Sequence, residues 1–188
     1  MKQERKMETD ETLYRRYLSG DNDALRELLE RHRRGLILFL YGMVGSMEEA
    51  EDLMMDAFAA VLAKEKTFYG GSSFKTWLFA IARHKAGSFL RKRHFTEAEP
   101  EIVSLAQEEP DEQLFQTERR RILFSAMTRL HAEYRQALIL FYFEDMDCQT
   151  MASVMKISRR KASDLLYRGK QALKKELEQE GYTDAQLG

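Results

Sequence analysis

The chain has 188 residues, 44% of them hydrophobic, and its 30 lysines and arginines nearly cancel 31 aspartates and glutamates to leave a formal charge of -1. That length holds one large or two small domains with real cores, and two prolines among many helix formers favour helix almost throughout. One cysteine, Cys148, excludes an intramolecular disulfide framework; no apolar run suits a membrane span and the N-terminus lacks a signal-peptide core, so a cytoplasmic location is expected.

In chain order, "GDNDALRELLERHRRGLILFLYGMVG" opens on an Asp/Asn start signal and ends its apolar tail at Gly45, which predicts a long helix. Ser46 and Glu49 make a capping box, and Ala50, Leu53, Met54, Ala57, Phe58 and Val61 follow at helical core spacing. The outward face of this helix is Glu48, Asp52, Met55, Asp56 and Ala59, acids around a methionine that core packing does not require. It is either an ordinary solvated face or a dock for a basic partner. "FYGGSS" is a loop whose serines cap the next helix, "FKTWLFAIARHKAGSFLRKRH", with Phe74, Leu78, Ile81 and Phe89 on one side.

Charge is segregated along the chain. Residues 46–58 carry five acids and no base, whereas residues 82–94 carry five Lys or Arg and no acid. Residues 96–113 are acidic, hold both prolines and show little helical periodicity, so they read as a linker. The expected fold is all-α: two small helical domains, 1–95 and 114–188, joined by that acidic linker. In the second, "DEQLFQTERRRILFSAMTRL" and "HAEYRQALILFYFED" predict two helices. A short helix capped by Asp147, the break "KIS" and a basic helix from about Arg159 to Glu180 complete a four-helix domain with a helix-turn-helix plan.

The last helix turns Ala162, Leu165, Leu166, Gly169 and Leu173 inward, leaving Arg160, Asp164, Tyr167 and Gln171 outward. Arg159, Arg160 and Lys161 crowd the first turn, where each cation costs a few tenths of a kcal/mol against the helix dipole. A bound phosphate reverses that sign; a merely solvated basic face is the plain alternative. Arg159, Lys161 and Arg168 suit phosphate, while Arg160, Ser163, Asp164 and Tyr167 suit base edges. Asp164 either accepts from a cytosine amino group or holds a neighbouring arginine, and repulsion from phosphates favours the second.

Around the earlier loop and helix, Phe68, Tyr69 and Trp77 offer flat surfaces among Lys66, Lys75, Arg83, Lys85, Arg91, Lys92 and Arg93, a combination suited to unpaired bases. Phe74 and Trp77 read more readily as core, and Lys66, Phe68, Tyr69 and Ser72 as the base-capturing set. The four histidines are scattered, no cluster has metal-ligand spacing and no glycine loop cradles phosphate. No catalytic residue, metal or cofactor is expected.

These motifs together resemble the extracytoplasmic-function (ECF) sigma factors, from about Thr12 to about Leu177. "AEDLMMDAF" is similar to the family's core-polymerase-binding helix, "TFYGGSSFKTWLFAIARHKAGSFLRKR" to its loop and helix that open and read the minus-ten element, and "LHAEYRQALILFYFEDMDCQTMASVMKIS" with the following helix to its fourth region. The resemblance implies core-polymerase binding through Glu48, Glu51, Asp52, Leu53, Met55, Asp56 and Phe58. It implies minus-ten binding through the loop and helix residues just named together with His84, and minus-thirty-five binding through Arg159, Arg160, Lys161, Ser163, Asp164, Tyr167 and Arg168. Implied partners are the beta-prime clamp and beta flap of core RNA polymerase, promoter DNA and an anti-sigma factor, with the chain a monomer outside the membrane. Relatives usually carry Gln at Met55, Asn at His84, Gly at Lys156 and often Ser at Asp164, and these departures bear on promoter choice. The rival reading is a helix-turn-helix regulator working without polymerase, which would need a dimer interface.

Overall fold

A computed structural model describes residues 8–63, 68–96 and 112–182. Lys66 and almost all of the acidic stretch lie outside the described residues. Among the described residues eight α-helices follow one another: α1 (Asp10–Leu18), α2 (Asn22–Val44), α3 (Met47–Leu62), α4 (Phe74–Thr96), α5 (Glu118–Thr128), α6 (Ala132–Tyr142), α7 (Cys148–Met155) and α8 (Arg159–Gln179). No strand occurs among the described residues.

The helix starts follow from side-chain oxygens that take up orphan N–H groups. Asp21 accepts from Asp23 and Ala24 at the head of α2, Ser46 from Glu49 in α3, Asp147 from Thr150 in α7 and Ser158 from Lys161 in α8. Helix α2 stops where Gly45 turns left-handed. The single helix expected from "DEQLFQTERRRILF" is instead a 3-10 turn at Glu112–Leu114 followed by α5. Thr117 causes the split: it sits extended and accepts from the Arg120 N–H, starting a new helix.

Helices α1 to α4 form a front half in which α2 packs on α1, α3 and α4, with Leu28, Leu36, Phe39, Leu40, Leu78 and Phe79 at its centre. Asp10 of α1 joins α2 through His32 at 2.6 Å and Arg31 at 2.7 Å. Burial pushes the Asp10 carboxyl up, but those two partners outweigh it and hold it below the usual value. Helices α5 to α8 form a rear half in which α8 packs on α5, α6 and α7 around Phe124, Met127, Leu138 and Met151.

The two halves share one core. Helix α6 lies against α2 and α7 against α4. Tyr41 of α2 meets Phe124 of α5 with ring centroids 5.8 Å apart. Arg135 of α6 is buried, with Nε donating to the Gly42 carbonyl of α2 and Nη1 donating to Thr128 at 2.9 Å and Leu130 at 3.1 Å. One guanidinium thus takes up late carbonyls of α2 and of α5, where the negative ends of both helix dipoles favour a cation. Burial pushes its pKa down to about 10, so it remains charged at neutral pH.

Candidate nucleic-acid and partner interfaces

The face of α3 predicted to point outward does so: Glu48, Asp52, Met55, Asp56 and Ala59 are exposed, as is Glu51, and Met55 has 60% of its surface in solvent. A large thioether left open amid acids is a cost to the isolated chain, and a partner offering apolar contact and positive charge removes it. Leu53 and Phe58 correct the expectation. Both are 6% exposed, because their positions fall on the stripe that packs against the rest of the front half, so they hold α3 in place instead of forming its contact surface.

Between α3 and α4 runs a groove of about 490 Å³ lined by Asp56, Ala60, His84, Lys85, Phe89 and Lys92, among others. Glu49 accepts from Arg93 Nη1 at 3.1 Å and clips the two helices together at one end. Arg93, expected on DNA, is therefore engaged within the front half. Sequence reasoning passed over Glu49 as a partner because its mate lies 44 residues away.

The loop before α4 separates its aromatic residues sharply. Tyr69 is 90% exposed, lifted by Gly70 in the left-handed region at φ 78°. Phe68, expected to capture a base, packs instead into an aromatic cluster, with ring centroids 5.6 Å from Trp77, 5.9 Å from Tyr14 and 6.0 Å from Phe74. Its ring is used in covering the end of the core, which leaves Tyr69 as the open aromatic face of this loop. Trp77 is half-buried in that cluster, in line with its reading as core. Ser73 caps α4 by accepting from Thr76 at 3.1 Å, and Glu11 of α1 accepts the Phe74 N–H at 3.0 Å. Ser72 is exposed beside them.

Along α4 the residues expected to follow DNA divide into two groups. His84, Arg91 and Lys92 are exposed and Lys85 is half-buried. Lys75 and Arg83 are held by the rear half. Lys75 Nζ stands 2.8 Å from the Glu144 carboxylate and donates to the Glu144 carbonyl, also at 2.8 Å. Arg83 Nε donates to the Gln136 side-chain oxygen at 3.3 Å, and burial lowers its pKa somewhat against the pull of nearby Glu133.

In α8 all seven predicted residues share the solvent side: Arg159, Arg160, Lys161, Ser163, Asp164, Tyr167 and Arg168 are exposed, Tyr167 to 67%. Five of them line one shallow, open depression. The first turn holds no acid. Arg168 Nε donates to Asp164 at 3.1 Å, and this contact raises the arginine's pKa, with the carboxylate's charge as the leading cause. Asp164 thus holds a neighbouring arginine in place. Lys161 Nζ reaches Glu133 of α6 at 3.2 Å. The turn before α8 runs through Lys156 at φ 53°, left-handed without being glycine.

Comparison with known proteins places the two halves separately. The Sigma-70 region 2 family model matches residues 28–96 and the Sigma-70 region 4 model matches residues 120–173. The ECF RNA polymerase sigma factor SigX of Bacillus subtilis is 30% identical over 164 residues, covering 83% of this chain and 84% of that protein. The RNA polymerase sigma factor CarQ of Myxococcus xanthus is 29% identical over 162 residues, 85% of this chain and 92% of CarQ. Among solved structures, the sigma factor RpoE of Bartonella quintana, crystallised with the anti-sigma factor NepR, matches with a TM-score of 0.62 at 25% identity, over 76% of this chain and 89% of that one. CnrH, solved with the cytosolic domain of CnrY, shares the fold at a TM-score of 0.65 and 20% identity, over 91% of this chain and 98% of its own.

Proposed function

Because this chain belongs to the ECF RNA polymerase sigma factors of the sigma-70 family, we propose a division of labour among its surfaces. The chain binds core RNA polymerase and directs promoter-specific initiation, its region 2 melting and reading the minus-ten element and its region 4 reading the minus-thirty-five element. Residues 1–95 and 114–188 act as the two working modules. On α3, the acids Glu48, Glu51, Asp52 and Asp56 around Met55 dock on a basic surface of the polymerase. Tyr69 and Ser72 receive an unpaired base, with His84, Lys85, Arg91 and Lys92 following the strand behind it. On α8, Arg159, Lys161 and Arg168 fix the register on phosphates while Arg160, Ser163 and Tyr167 meet base edges.

Bond-making belongs to the polymerase, and this chain supplies position. It acts in the cytoplasm, where the polymerase works; no helix among the described residues is long and apolar enough to cross a membrane. An anti-sigma protein is the expected regulator, as NepR accompanies RpoE in the crystal.

The observation that carries this reading is α8: a helix capped by Ser158, held by one apolar stripe, with three exposed cations and no acid in its first turn. Such an end is poorly placed until an anion arrives. Run-off transcription with purified core polymerase on a genomic library, followed by start-site mapping, tests it. Start-specific transcripts are expected only when both proteins are present, and none with both present would refute the reading.

A further inference from the structure

The loop 68–73 carries Tyr69 and Ser72, yet little inside it holds them still. Gly70 is left-handed, and a Cβ added at Gly70 or Gly71 would meet no atom within 4 Å, so the middle of the loop stands clear of the rest of the molecule. Adjacent glycines give a backbone its widest conformational range. A loop of that make-up keeps one pose only if its ends are gripped from outside.

Both grips come from α1. At the far end, Glu11 Oε1 accepts the Phe74 N–H at 3.0 Å. That amide is an orphan donor at the head of α4, whose own first turn has no acid. A carboxylate 63 positions earlier supplies the missing negative charge. At the near end, Tyr14 is 2% exposed, with its ring edge-on to Phe68 at 5.9 Å and 5.2 Å from Phe74. Burial pushes the Tyr14 phenol up, and a hydrogen bond from the Phe68 backbone pulls against it. Helix α1 is itself fixed, since Asp10 is tied to His32 and Arg31 of α2 and Arg31 also donates to the Glu8 carbonyl at 2.8 Å. Neither Glu11 nor Tyr14 lies within the span 28–96 matched by the region 2 model.

We propose that Glu11 and Tyr14 are positioning residues for base capture: they clamp the two ends of the loop so that Tyr69 and Ser72 meet an unpaired base in one pre-set pose. Both act through the loop and not on the DNA. The capture rests on the sigma-factor reading; the clamp itself does not. A loop fixed beforehand loses less freedom on binding, so promoter affinity depends on a helix that makes no contact with the base.

Amide hydrogen exchange of the full chain, without polymerase, tests the clamp. Glu11→Ala is expected to speed exchange across 69–74 about tenfold, with exchange in α8 and helical circular dichroism unchanged. Glu11→Gln keeps an acceptor oxygen and is expected to restore most of the protection. Tyr14→Phe removes only the hydroxyl, should free the Phe68 end, and decides the clamp if Glu11→Ala loses helix. Unchanged loop exchange in the folded variants overturns the proposal. Run-off transcription by core polymerase with the full chain, on a promoter fragment recovered by start-site mapping, tests the role. Glu11→Ala should lose about tenfold in promoter affinity at unchanged core binding. It should lose nothing further in a chain already carrying Tyr69→Ala and Ser72→Ala, because its effect passes through those side chains. Losses that add would mark a merely structural part and overturn the proposal, as would no loss from Glu11→Ala alone. A parent chain that gives no transcript refutes the sigma-factor reading and base capture with it, while the exchange data still decide the clamp.

Discussion

Helices α4 and α8 are nearly equal in length, 23 and 21 residues, and both carry a run of cations, yet they present them in opposite ways. In α8 one apolar stripe of Ala162, Leu165, Leu166, Leu173 and Leu177 is buried and the other side is open. In α4 the buried residues Leu78, Phe79, Ile81, Ala82 and Ala86 cover a wider arc, which Thr76 extends, and the rear half engages Lys75 and Arg83. A helix with one stripe shows its working face in its periodicity; a helix packed on more than one side does not. The contrast also shows in the cations themselves: Arg159, Arg160 and Lys161 of α8 are open to solvent, whereas Lys75 and Arg83 of α4 are engaged by the rear half.

The strongest way to break this contrast is to remove the group that joins the halves. Arg135→Ala removes the donor to three carbonyls, those of Gly42 and Leu130 in buried contacts, and is expected to cost on the order of 3 kcal/mol in urea unfolding, with both halves losing cooperativity. Next come substitutions on the two open faces. Arg160→Ala should lower transcription from a cognate promoter about tenfold while core binding is unchanged, as loss of a base contact of roughly 1–3 kcal/mol requires. Asp52→Arg should do the reverse, weakening core binding about tenfold in a pull-down titration. Equal losses of both activities in either folded variant would erase the distinction between the faces.

A smaller effect tests the turn that aims α8. Lys156→Gly relieves a left-handed backbone and should stabilise the chain by about 1 kcal/mol in thermal melts. The smallest is the acid limb of stability. Asp10 has a carboxyl held below its free value of 3.8, so its stabilising share is complete above that pH and is lost as pH falls through the folded value. Asp10→Asn should therefore flatten the fall in urea stability below about pH 4. An unchanged acid limb would remove Asp10 from the account of the front half.

Much of the fold was visible in short-range signals. The caps at Asp21, Ser46 and Asp147, the stop at Gly45 and the outward face of α3 all depend on residues within about two turns of each other. The face of α8 was visible for the same reason. Helix α1 drew no separate expectation, although Thr9 caps it and Leu13 and Tyr14 are fully inside. Phe68 was misplaced because its surroundings come from Tyr14, 54 positions earlier, and Trp77, nine positions later. Leu53 and Phe58 matched a family pattern for contact, but their periodicity was that of the core.

The amino-acid order carried most of the helices and their caps, the charge of each face and the motifs of the family resemblance, because each of these arises among neighbours within a few turns. The pairing of Lys75 with Glu144, the close approach of Glu144 to Gly35 and of Ile139 to Gly42 and the burial of Arg135 came only with the folded chain. Those contacts join residues 69, more than 90 and more than 100 positions apart, as between Lys75 and Glu144, Gly42 and Arg135, and Gly35 and Glu144. No local spacing encodes such meetings; they follow from how two helical layers pack, and that packing engages Lys75 and Arg83 of α4 while leaving Arg159, Arg160 and Lys161 of α8 in solvent.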